Sequence, residues 1–197
     1  MVDDSHHEAA TIDYLGYVEC MDEIKERIST IDFALMVPHN PLARDNIESL
    51  ALNFRKTFEL IIMACQAAHT HMIGRKIKVW RIKNIDQIIK RYNHDFYMCP
   101  VNATKTAIDD RVDVDVLTLN ELKAAYKTCG DWLHAKGPYG DRPEPQAAVD
   151  AFQVWRGKVV RLLNAHRVRI DERTFLYCTM NAAGSGRTHV SIFGRME

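Results

Sequence analysis

The sequence predicts a mainly α-helical fold, a single-domain bundle of about five helices with a C-terminal β-hairpin. Three observations predict it. Apolar residues recur at three-four spacing through most of the chain up to about residue 166. After Asp171 the pattern changes to β-branched and aromatic runs around a glycine-containing turn. The 197 residues, 47% hydrophobic and 26% charged, suffice for one well-filled core and are too few for a second full domain. The expected division is a flexible acidic N-terminus over 1–10, a helical bundle over 11–170, and a hairpin over 171–197 lying on the bundle or on a partner.

Met21, Ile24, Ile28, Ile31 and Leu35 give a first helix from about Thr11 to Met36, stopped before Pro38. Ile47, Leu50, Ala51, Phe54, Phe58, Ile61, Ile62 and Cys65 form an almost unbroken stripe, so the second helix runs to about His71 and is the central one. A short third helix is expected from Asn84 to Tyr92, followed by a loop through Pro100 and an acidic connector from Asp109 to Asp115. Thr118 with Glu121 three residues on is a capping box that starts the fourth helix, which stops at Gly137-Pro138-Tyr139-Gly140. Pro145 suits the first turn of the fifth, which extends to about His166. Residues 174–180 and 188–193 are the two hairpin strands, joined by Asn181-Ala182-Ala183-Gly184-Ser185-Gly186-Arg187.

Lys and Arg number 26 and Asp and Glu 26, so the net charge is zero and any nucleic-acid contact must be local. Residues 1–23 hold seven acids and no Lys or Arg, whereas Arg75 to Arg91 holds seven bases and one acid. Five scattered cysteines with no Cys-x-x-Cys pair argue for a reducing cytoplasm. No apolar run approaches the ~20 residues of a membrane span, and a membrane partner is not expected. P-loop, dinucleotide-binding, zincin and nucleophile-elbow motifs are absent, and no cofactor is implied. Cys65, His69 and His71 have ligand chemistry but no second pair of ligands nearby, so a metal site is not expected.

Arg75, Lys76, Lys78, Trp80, Arg81 and Lys83 interleave cations with apolar residues and one indole, a pattern suited to RNA backbone contact and base stacking, and equally to a half-exposed strand. On the second helix Arg55, Glu59, Gln66 and His69 share one line beside the apolar stripe, pointing into a cleft or forming a surface ion pair. On the fourth, Lys127, Asp131 and His134 share a face. His134, near the helix C-terminus, is placed for proton transfer in phosphodiester chemistry, or for simple capping against Trp132 and Tyr139.

Lys127-Thr128-Cys129-Gly130-Asp131-Trp132-Leu133-His134, with Arg55-x-x-x-Glu59 on the long central helix, resembles the HEPN superfamily of prokaryotic toxin and defence ribonucleases and their inactive relatives. Lys127 stands where that family's signature has arginine, and a lysine cannot form the bidentate phosphate contact of a guanidinium. The resemblance implies a homodimer that cleaves RNA without metal. It implies acid/base work for His134, phosphate stabilisation by Lys127 with Asp131 among the intervening polar residues, and orientation by Glu59 and Arg55. The competing expectation is a catalytically inactive helical subunit that docks on a partner protein through the hairpin.

Overall fold

The structure, a computed structural model, describes residues 12–36, 43–73, 87–103, 108–110, 114–134 and 144–194. Helix α1 (Tyr14–Met36) begins after Asp13, whose carboxylate accepts from the Gly16 amide at 3.0 Å. A Cβ at Gly16 would lie 2.7 Å from that carboxylate, so glycine is what leaves room for the cap as it stands. Helix α2 (Arg44–Ala68) packs along α1, and its predicted stripe from Ile47 to Cys65 is wholly buried. It ends earlier than the pattern suggested, and α3 (Thr70–Ile73) is a separate turn. Of the expected third helix, residues 87–90 are helical, and 84–86 lie outside the described residues.

Helix α4 (Leu119–Leu133) starts as its capping box requires: the Glu121 amide donates to Thr118 Oγ1 at 3.3 Å, and the Thr118 amide donates to Glu121 Oε2 at 2.9 Å. It lays Leu122, Ala125, Cys129 and Gly130 against α2. Helix α5 (Pro145–Leu163) closes the bundle. Its Phe152 stacks on Phe54 of α2 with centroids 5.3 Å apart, and Trp155 meets Phe54, Phe58 and Phe152 edge-on.

The expected hairpin is only part of a larger sheet. Strands β1 (Cys99–Ala103), β2 (Ile108–Asp110), β3 (Ala165–Arg169), β4 (Thr174–Thr179) and β5 (His189–Gly194) form one antiparallel sheet in the order β2-β1-β3-β4-β5. The β4–β5 pair is the predicted hairpin, and its connection places Gly184 and Gly186 at φ 86° and 64°, where glycine is at ease. Three strands were hidden by their residues. The fifth helix, expected to extend to about His166, stops at Leu163, because His166 and Val168 point inward from β3 while Arg167 and Arg169 point out. A histidine at an inward position conceals the alternation. Pro100 disguised β1, which pairs with β3 through 99–100 and with β2 through 101–103, so Pro100 has no β2 neighbour that needs its missing N–H. The acidic connector begins inside β2.

Bundle and sheet share one core. The Tyr17 hydroxyl of α1 meets His166 Nε2 at 2.6 Å, and Lys25 Nζ donates to the carbonyls of Met180 and Gly186 at 3.0 and 2.8 Å. Val168, Leu176, Cys178 and Val190 join the helical core from the inner sheet face. No described helix is long and apolar enough to cross a membrane. Residues 1–11, the predicted break at Pro38 to Pro41, and the predicted stop at Gly137 to Gly140 lie outside the described residues.

Candidate functional site

The α2–α4 contact brings together residues 67 and 71 positions apart in sequence. Arg55 and Glu59 lie one turn apart on α2, and their side chains are 29% and 25% exposed, with Nε and Oε1 3.6 Å apart. Tyr126 of α4 sits between them. Its hydroxyl accepts from Arg55 Nη2 at 2.6 Å and donates to Glu59 Oε1 at 3.0 Å, and the Arg55 guanidinium lies over its ring at 4.1 Å. Burial, and after it the Glu59 carboxylate, push the Tyr126 hydroxyl up from its ordinary range, so it stays protonated and keeps donating. Lys56 adds a looser contact to Glu59 at 3.8 Å.

One turn further along α4, Gly130 is buried against α2. A Cβ on Gly130 would lie 3.1 Å from Arg55 Nη1, and the His134 imidazole is within 4.0 Å of the same point. Tyr126, Gly130 and His134 follow one another at steps of four, so they form a single line on α4. His134 is exposed and is the residue at which the helix ends, its backbone turning to φ −87° and ψ 136° while its amide still donates to Gly130 O at 3.0 Å. Glycine at 130 thus leaves room for the Arg55 guanidinium to lie against α4, on the same line as the His134 imidazole.

Of the residues singled out in the sequence, Arg55, Glu59 and His134 come together here. Lys127 and Asp131 are exposed on the neighbouring line of α4. Tyr126 is the centre of the cluster. Its signal was the spacing of four to Gly130 and again to His134. His69 does not belong: it is fully buried, with Nδ1 2.7 Å from Cys65 O and Nε2 3.0 Å from Arg169 O, and it fastens α2 to the end of β3. Cys65 is a core thiol that burial pushes up to about 12, which suits a small hydrophobe rather than a ligand. Arg75, Lys76, Lys78, Trp80, Arg81 and Lys83 lie outside the described residues.

Besides the stretch from Arg75 to Arg91, residues Arg156 to Arg173 hold six bases, and these are largely engaged by carboxylates. Arg156 holds Asp32 through two bonds of 2.7 Å, and Lys158 reaches both Glu121 at 2.6 Å and Asp115 at 2.8 Å. Arg167 takes Asp110 bidentately at 2.6 and 2.7 Å. Comparison of the chain with protein-family models, curated proteins and solved structures finds no match.

Proposed function

We propose that the protein is a HEPN-like RNA-binding helical protein of a prokaryotic defence or toxin system and a metal-independent endoribonuclease whose site is the Arg55–Tyr126–His134 cluster. One observation carries the reading: Arg55 Nη1 and the His134 imidazole lie 3.1 Å and 3.9–4.0 Å from one point, the position a Cβ would take on Gly130, so a guanidinium and an imidazole stand close enough to serve one phosphate. Arg55 then supplies the planar cation that Lys127 cannot, with Lys127 as a second positive charge at the rim. Glu59 and Tyr126 are positioning residues, since they fix the guanidinium from behind.

In this chemistry His134 removes the ribose 2′-hydroxyl proton, the 2′-oxygen bonds to phosphorus, and the 5′-oxygen leaves with a proton. The products are a 2′,3′-cyclic phosphate and a 5′-hydroxyl. A single imidazole cannot be base and acid in the same step. A homodimer that sets two such sites together supplies the second.

The test is incubation of wild-type, His134→Ala, Arg55→Ala and Tyr126→Phe protein with mixed RNA in EDTA. Wild-type cleavage to cyclic-phosphate ends is expected, with losses of roughly 100-fold or more in His134→Ala. Tyr126→Phe should lower cleavage less and leave the fold intact. No cleavage by the wild type overturns the reading. Among the described residues β5 is an edge strand of the sheet, and this edge, with Ile192 and Phe193 49% and 43% exposed, then favours a noncatalytic subunit that pairs this strand with a partner protein.

A further inference from the structure

The sheet has a second face. In the ladder, Arg169 pairs with Phe175 and Phe175 with Phe193, while Arg167 pairs with Tyr177. Directly paired residues of antiparallel strands point the same way, so all five side chains lie on the face opposite Val168, Leu176, Cys178 and Val190. Phe175, Tyr177 and Phe193 lie outside the continuous core; Phe175 and Tyr177 are half-buried and Phe193 is 43% exposed. The three rings instead touch each other: Phe175 and Phe193 stack at 5.4 Å, and Tyr177 meets Phe193 edge-on at 6.3 Å.

We infer that this outer face, carrying Phe175, Tyr177 and Phe193 beside Arg167 and Arg169, binds single-stranded nucleic acid by stacking bases on the rings and drawing phosphates to the arginines. Aromatic rings on a flat sheet accept any base, because every base has a π-face, and a neighbouring guanidinium adds charge and a second stacking plane. Arg169 is the better placed cation. Its carboxylate partner Asp95 is 70% exposed and reaches it through one bond of 3.2 Å, a solvated pair that a phosphate exchanges at little cost. Arg167 is held by Asp110 along its Nε–Nη2 edge and fixes the border of the platform. A second copy of the chain is a poorer occupant, since packing sheet on sheet would take these ion pairs out of water. The inference goes beyond the cleavage reading, because the platform needs no reactive 2′-hydroxyl.

The experiment uses the full chain and a fluorescein-labelled twelve-residue oligodeoxythymidine, which the proposed cleavage cannot consume, with anisotropy read at low and raised salt. Wild-type binding that weakens with salt is expected, and Phe193→Leu, which keeps an apolar side chain at an exposed edge position but removes the ring, should weaken it several-fold. Tyr177→Leu with Phe193→Leu should weaken it about tenfold or more. Arg169→Ala should weaken it and flatten the salt dependence. Absence of wild-type binding, or unchanged binding by Phe193→Leu, overturns the inference. So does a Phe193→Leu protein that light scattering shows losing a dimer while binding persists, for the face would then belong to a second copy. Cleavage that fails while sheet-dependent binding holds overturns only the catalytic reading.

Discussion

His166 shows what a single polar residue costs inside this core. It is fully buried; Nδ1 donates to Leu163 O at 2.9 Å, which obliges Nε2 to accept from the Tyr17 hydroxyl. Burial pushes its imidazole down to about 4, while an unfolded histidine takes its proton near 6.5. Between those values the unfolded chain binds more protons than the folded one. Stability is therefore complete above about pH 6.5, falls as the pH is lowered, and by about pH 4 has lost on the order of 3 kcal/mol at this residue. Burial lowers His69 and His71 as well, so they act in the same direction. Thermal unfolding followed from pH 7 to pH 5 should show a falling midpoint, and a flat profile would refute the assignment. Tyr17 and His166 lie 149 positions apart, and nothing in either neighbourhood of the sequence announces the pair.

At the scale of elements, helices were legible where local chemistry decides them. The start of α4 was readable because Thr118 and Glu121 satisfy each other's amides within one turn, without help from the rest of the chain. Thr118→Ala should cost about 1 kcal/mol, read as a lower urea midpoint with an unchanged slope. The same Glu121 also pairs with Lys158 of α5, and that bond, first among the causes, holds its carboxyl down at about 2. Strands were less legible. β4 and β5 have β-branched and aromatic residues on both faces and a turn between them, whereas β1 carries a proline and β3 a buried histidine, so their strand character exists only through pairing.

For the molecule as a whole, α2 is the hub, and Phe54 is its most consequential contact. The ring touches Phe58 on its own helix and Phe152 and Trp155 on α5. Phe54→Ala should destabilise by about 3–5 kcal/mol, a large part of the 5–15 kcal/mol typical of a domain. Chemical denaturation followed by tryptophan fluorescence measures it through Trp155, and a loss below 1 kcal/mol would show that Phe54 is not central. The candidate site depends on the same packing. Arg55 lies one residue beyond Phe54 on α2, so the contact of α2 with α4 that buries Leu122 and Cys129 also delivers the guanidinium to Tyr126.

The sequence by itself determined the helical stripes, the capping box, the β4–β5 turn, and the candidacy of Arg55, Glu59 and His134, because each follows from residues within one or two turns of one another. Tertiary structure alone decided that Tyr126 joins Arg55 to Glu59 and that Gly130 admits the Arg55 guanidinium beside His134. It also decided that β1 and β3 extend a hairpin into a five-stranded sheet with an aromatic outer face. The Tyr126 bridge and the β1–β3 pairing need partners 60 or more positions away. Their energy appears only when packing brings those partners together, and no local pattern encodes it.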